Sequence, residues 1–186
     1  YIALFQDERF LDSLWFTVKF SVVSIFLINA IGLSLALLVT ANLKSNKLLR
    51  TIFFMPNLIG GLILGFIWQF IFTKAFDGFG SLLGIESLQG WLSTSTTGFW
   101  ALVILMSWQM SGYIMVIYIA YLEGISNELL EAAEIDGASP FQRFRLVVFP
   151  LVAPAFTVSM FLTLSNTFKL YDQNLSLTGG GPYNST

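Results

Sequence analysis

Four long stretches of this chain carry no charged side chain, and their lengths decide what it can fold into. One gap of 24 residues lies between Lys19 and Lys44, and one of 23 between Arg50 and Lys74. A gap of 36 runs from Glu86 to Glu123, and one of 23 from Arg145 to Lys169. The first dozen residues of the third gap, 87–98, are mostly Ser, Thr and Gly and are too polar for hydrocarbon. A helix rising 1.5 Å per residue needs about 20 apolar residues to cross ~30 Å of lipid. Spans are therefore expected at 19–41, 51–73, 99–122 and 147–168. Barrel strands would be about 10 residues long with strict alternation. These runs are longer and apolar all round, so the expected fold is all-α and polytopic, with four transmembrane helices in one membrane domain over residues 1–186.

Composition agrees. Charged residues make up 11% of the chain, against roughly 25% in soluble domains, and the mean hydropathy is +0.75. Membrane lipid is the expected solvent. With no Cys and no His, disulfides, thiol chemistry and the commonest metal ligands are absent; no metal and no cofactor are expected. A net charge of -2 gives no basic footprint for nucleic acid. The opening residues carry Asp7, Glu8, Arg9 and Asp12 instead of a basic start and an apolar run, unlike a signal peptide. From Tyr1 to Thr186 the chain reads as an internal piece of a longer membrane protein, with elements expected beyond both ends.

Four spans put both ends on one side. Lys44, Lys47, Arg50, Arg143 and Arg145 fall in the loops at 42–50 and 123–146, and Arg9 and Lys74 on the other side, with Lys19 and Lys169 near helix ends there. Lys and Arg favour the cytoplasm, so those two loops are expected there.

The spans are not plain anchors. Span two holds Pro56, Gly60, Gly61 and Gly65; Gly61 and Gly65 form a small-xxx-small pair that permits close helix approach. Pro150 and Pro154 open span four and are expected to kink it. Asn29, Gln69, Gln109 and Asn166 are polar groups inside spans, costly against lipid. Two readings stay open for each: hydrogen bonding between helices, or the lining of a wet path for a polar solute. Gln109 and Tyr113 share one helix face. Lys169 either joins Asn166 or snorkels to the interface. Trp68, Trp108 and Tyr113 could offer stacking faces, whereas Trp15, Trp91 and Trp100 read as interfacial belt residues.

The loop at 123–149 has its own architecture. Ser126 is a candidate N-cap, and Glu128 lies early, where the helix dipole favours negative charge. Gly137 after Asp136 reads as a helix stop. Ser139, Pro140 and Gln142 then mark a second helix with a capping box. Ala132 and Ala133 leave little bulk for a partner to clear, and Phe141, Phe144 and Val148 form an apolar stripe. A docking surface and a merely solvated acidic face both fit.

This loop resembles the EAA loop of binding-protein-dependent ABC transporter permeases: Glu-Ala-Ala, three residues, Gly, nine residues, Ile, any residue, Leu, Pro. Glu131-Ala132-Ala133, Gly137, Val147, Phe149 and Pro150 stand at that spacing, with Val for Ile and Phe for Leu. The run from Glu131 to Ser139 is most similar to the sugar branch. So is Leu177-Thr178-Gly179-Gly180-Gly181-Pro182 with Thr186, beside that branch's Thr-x-Gly-Gly-Pro stretch. The resemblance implies one further helix before Tyr1 and one after Thr186. It implies a permease subunit in a bacterial inner membrane, with the EAA loop cytoplasmic. The partners it implies are a second, homologous permease subunit, a dimer of cytoplasmic ATPase subunits docked on the loop, and an extracytoplasmic binding protein delivering a sugar or oligosaccharide. Glu131, Ala132, Ala133 and Gly137 would couple to the ATPase, and Gln109, Tyr113 and Asn166 would lie on the solute path.

No Gly-x4-Gly-Lys-Ser/Thr loop is present, so ATP is expected to be hydrolysed by other subunits. The alternatives are an ABC permease for amino acids or peptides, a membrane-embedded enzyme acting on lipid, and a channel or secondary carrier. The second would need a charged or Ser-Lys constellation that is not evident, and the third would not need a docking loop.

Overall fold

A computed structural model describes residues 7–41 and 45–180; Tyr1, Lys44, Gly181, Pro182 and Thr186 lie outside the described residues. Among the described residues every regular element is a helix. Helix α1 (Glu8–Thr40) starts at Asp7, whose carboxylate accepts from the Arg9 amide at 2.9 Å. It begins well before position 19, because an apolar run marks where a helix meets lipid and not where it starts.

The second span differs more. The run 51–73 does not form one helix. Helix α2 (Asn46–Phe54) gives way to a 3-10 turn at Met55–Leu58 around Pro56. Helix α3 (Gly61–Phe70) then continues through a π-turn (Ile71–Ala75) into α4 (Phe76–Leu83). Proline supplies no amide hydrogen, so the helix is interrupted inside the charge-free run. The membrane-length helix is Gly61–Leu83, with Lys74 and Asp77 in its C-terminal half.

Helix α5 (Ser95–Glu123) begins with a Thr94–Thr97 capping box. Helices α6 (Asn127–Ile135) and α7 (Pro140–Arg143) form a hairpin. A π-turn at Phe144–Val148 leads into α8 (Phe149–Thr167), and a short α9 (Asp172–Thr178) ends at left-handed Gly179. The π-turn, closed by the Phe149 amide on the Phe144 carbonyl, directly precedes Pro150. The expected disturbance from proline is therefore taken up as one surplus residue in a turn.

α5 is the axis of the molecule. In its most apolar stretch 72% of residues are buried, against 17% for Gly61–Leu83. α1 packs along it, with Phe16 edge-on to Phe99 and Gly32 facing Ile114; a Cβ at Gly32 would lie 2.8 Å from the Ile114 Cγ2. α2 crosses α5 more closely still. A Cβ on Gly112 would lie 1.8 Å from the Phe53 carbonyl oxygen, so only glycine admits that crossing. One buried polar cluster joins three helices. The Tyr118 hydroxyl donates to the Asn29 carbonyl oxygen at 2.8 Å and lies 3.2 Å from the Ser159 hydroxyl, which also donates to Asn29. Asn29 thus serves interhelical bonding.

Candidate functional site

Two helix breaks lie at one face of α5. The first is Met55–Gly60, between α2 and α3. The second is Phe168–Tyr171, between α8 and α9. Between them lies a cleft of about 310 Å³, lined by Asn57, Met106, Gln109, Met110, Tyr113, Leu162, Asn166, Lys169 and Gln173. Gln109, Tyr113 and Asn166, singled out in the sequence, therefore meet at one place. Lys169 joins them in the cleft.

Each polar group is there for a local reason. Gln109 is buried and donates to the Ile59 carbonyl at 3.3 Å. That carbonyl sits in the break, beyond the last turn before α3. A neighbouring side chain satisfying freed backbone is how a broken helix persists in a membrane. The Gln109 carbonyl oxygen accepts from the Gln173 amide at 3.2 Å. Asn166 anchors its amide on the Leu162 carbonyl of its own helix at 2.8 Å. Gln69 does not line the cleft; it donates to the Leu177 carbonyl at 3.2 Å. The cleft thus offers amides, a phenol and one ammonium, with thioethers and a Leu as its apolar wall. This mixture suits a solute carrying many hydroxyls and flat apolar patches.

The stacking faces that Trp68 and Trp108 could have offered a solute are not at the cleft. Neither lines the cleft; their rings meet edge-on at 5.7 Å. Tyr113 is the aromatic ring that reaches it. Trp91 is stacked on Phe72 and donates to the Ser87 carbonyl, while Trp15 and Trp100 are exposed. Asn57 and Gln173 were missed. The first hides in a run read as continuous helix. The second follows the last charge-free gap, in a helix too short for that signal.

The second region is the hairpin. α6 ends in a Schellman motif: the Ala138 amide reaches the Ala133 carbonyl and the Gly137 amide the Glu134 carbonyl, both at 3.0 Å. Gly137 has φ +78°, the left-handed conformation glycine adopts without penalty. Ser139 and Gln142 form the expected reciprocal capping box. Ser126 occupies its N-cap position but makes no capping bond with its side chain. Arg143 pairs with Glu134 at 3.0 Å and braces the two short helices. Glu131 and Ala132 are exposed and Ala133 is half-buried. Beside them stand bare apolar side chains: Ile135 is 86% exposed and Phe141 69%. The stripe of Phe141, Phe144 and Val148 is divided. Phe144 and Val148 turn inward to an apolar crevice with Tyr118 and Phe156, while Phe141 stays outside. At the base of the hairpin Arg50 of α2 pairs with Glu123 at the end of α5.

Helices broken around a polar cleft, with an exposed helical hairpin at one end, define a polytopic membrane protein built around a site within its helix bundle. The chain belongs to the family of binding-protein-dependent transport system inner membrane components, whose model matches residues 28–186. It is 59% identical to a probable starch degradation products transport system permease protein, AmyD, of Thermoanaerobacterium thermosulfurigenes. It is 33% identical to the trehalose/maltose transport system permease protein MalF of Thermococcus litoralis. Both matches cover 100% of this chain and 64% of the relative; the chain thus spans less than two thirds of their length. Its fold matches a crystal structure of a bacterial ABC transporter involved in import of the acidic polysaccharide alginate. The TM-score is 0.83 at 20% identity, over 99% of this chain and 65% of that one.

Proposed function

We propose that this chain is the core of a permease subunit of an ATP-driven importer, and that it passes a sugar or oligosaccharide through the cleft at Gln109. The observation that carries this reading is the meeting of Asn57, Gln109, Tyr113, Asn166, Lys169 and Gln173 at two helix breaks. Discontinuous helices are where transport proteins expose polar backbone and side chains to cargo. The 59% identity to a starch degradation products permease favours a glucose oligomer over an amino acid or peptide. A solute-binding protein delivers the cargo from outside, and a second permease subunit completes the pathway.

In this reading the hairpin at 127–143 lies in the cytoplasm. Glu131, Ala132 and Ala133 form its contact with a separate ATPase, and Gly137 sets its aim. ATP is hydrolysed in that partner, and the movement reaches the cleft through α8. The test is uptake of labelled maltotriose by the full-length chain assembled with its partners. Asn166→Leu is expected to lower uptake about tenfold, the scale of one or two lost polar contacts, while ATPase subunits still co-purify. An unchanged rate removes Asn166 from the path.

A further inference from the structure

Among the described residues that line the cleft, every side chain is uncharged except Lys169. The break between α8 and α9 sets its place. Its backbone amide donates to the Asn166 carbonyl at 3.1 Å, and its carbonyl accepts from the Tyr171 amide at 2.8 Å. The ion pairs among the described residues, Arg50 with Glu123 and Arg143 with Glu134, lie at the hairpin and its base. Asp172, the acid nearest to Lys169 along the chain, is exposed and does not line the cleft. The Lys169 charge is therefore uncompensated among the described residues. A lysine that only snorkels sends its charge to the membrane surface, whereas Lys169 shares a wall with Asn57, Gln109, Asn166 and Gln173. Those four amides already supply donors and acceptors for hydroxyls. What the ammonium adds is a sign.

A passage that admits a sugar ring is wider than a hydrated alkali ion, so size cannot reject what is smaller than the cargo, and charge must do it. The geometry points to Lys169 as a charge selector that keeps cations, alkali ions and amino-bearing sugars alike, out of the cleft and leaves neutral hydroxyls to the amides. A membrane potential negative inside drives cations in the direction of import, so a cation riding with each cargo would drain it. A volume of about 310 Å³ is a sphere ~8 Å across, and the Debye length at physiological salt is also ~8 Å. An ion in the cleft therefore feels the ammonium with little screening, and low-dielectric walls focus the field further. This deepens the proposal that the cleft is the solute path, and rests on it.

The test uses the full-length chain in its assembled transporter, with accessible thiols elsewhere removed. Asn57→Cys places a reporter in the cleft wall. Its rates with a cationic trimethylammonium and an anionic sulfonate methanethiosulfonate are each divided by the same reagent's rate with a small free thiol. Any change in the reporter's own ionisation cancels in their ratio. Near the dielectric of water, one unit charge at ~8 Å alters the local concentration of a monovalent ion about two- to threefold. The anionic-to-cationic ratio is therefore expected to fall about sixfold with Lys169→Gln and about thirtyfold, with inversion, with Lys169→Glu. In proteoliposomes supplied with ATP, rubidium carried per ATP hydrolysed should rise about sixfold from the unmodified protein to Lys169→Glu, and about two- to threefold with Lys169→Gln. Lys169→Arg keeps the charge and should match the unmodified protein in both readouts, which separates charge from packing. A ratio that Lys169→Gln leaves unchanged overturns the selector, as it would if a partner subunit's carboxylate already neutralised Lys169. A ratio that shifts while rubidium entry stays constant overturns it too. If Lys169→Glu fails to assemble, Lys169→Gln decides by the same two readouts. The reagent ratio needs no sugar, so failure of the solute-path reading shows separately, as unchanged maltotriose uptake by Asn166→Leu.

Discussion

Gly137 shows how much a single position can decide. At φ +78° any side chain with a Cβ meets a penalty of about 1–2 kcal/mol, and a β-branched one still more crowding. Gly137→Val is expected to unwind the Schellman turn and mis-aim α7, so that ATP hydrolysis persists while uptake fails; parallel assays of both in proteoliposomes check this. Asn29 is the opposite kind of residue, buried and structural. Asn29→Leu removes the acceptor that the Tyr118 and Ser159 hydroxyls share between α1, α5 and α8. The expected cost is about 1–2 kcal/mol, the scale of interhelical bonds in membranes, read from the midpoint of unfolding in mixed detergent micelles. Substrate specificity should change little, because Asn29 does not line the cleft.

At the scale of elements, glycine determines which helices can touch. Gly112→Ala places a methyl group against the Phe53 carbonyl, and backbone cannot yield as a side-chain tip can. α2 should separate from α5 at about 3 kcal/mol, the upper range for overpacking, with faster proteolysis between residues 41 and 55 as the measurement. Gly61 and Gly65 were legible as a close-approach pair, and they do meet a helix closely. Which helix they meet was not legible. α9 has seven residues and lacks the long apolar run that announced the others. The charge-free gaps located four membrane helices but misplaced the second, since hydropathy registers side chains and is blind to the missing amide of Pro56. Capping chemistry was more dependable: the stop at Gly137 and the box at Ser139 stand where the residues put them. Gln109 had two open readings, a bond between helices or a place in a cleft, and its position meets the geometry of both. Periodicity could not show that the Phe141 stripe divides at a π-turn.

At the scale of the whole molecule, sidedness is the property most open to test. Ile135 is the most exposed large apolar side chain among the described residues and should face the cytoplasm. Ile135→Cys, in a chain segment free of other thiols, is expected to react with an impermeant maleimide in inside-out vesicles and to stay unlabelled in right-side-out ones. Added ATPase subunits should protect it. Labelling from the outside would invert the topology and with it the coupling reading. The sparse burial of Gly61–Leu83 and of α8, beside the deep burial of α5, describes a chain with one helix at its centre and large apolar flanks. Those flanks are suited to lipid and to further protein.

The π-turn at Phe144–Val148 works like the phase setting of a screw thread. Each residue in a helix advances the azimuth by about 100°. One residue fewer between Arg143 and Pro150 would restore regular winding and swing the hairpin about a quarter of a revolution relative to the bundle. The direction in which Glu131 and Phe141 point is thus stored as a count, and a single-codon deletion would redirect them with every side chain in the bundle left unchanged.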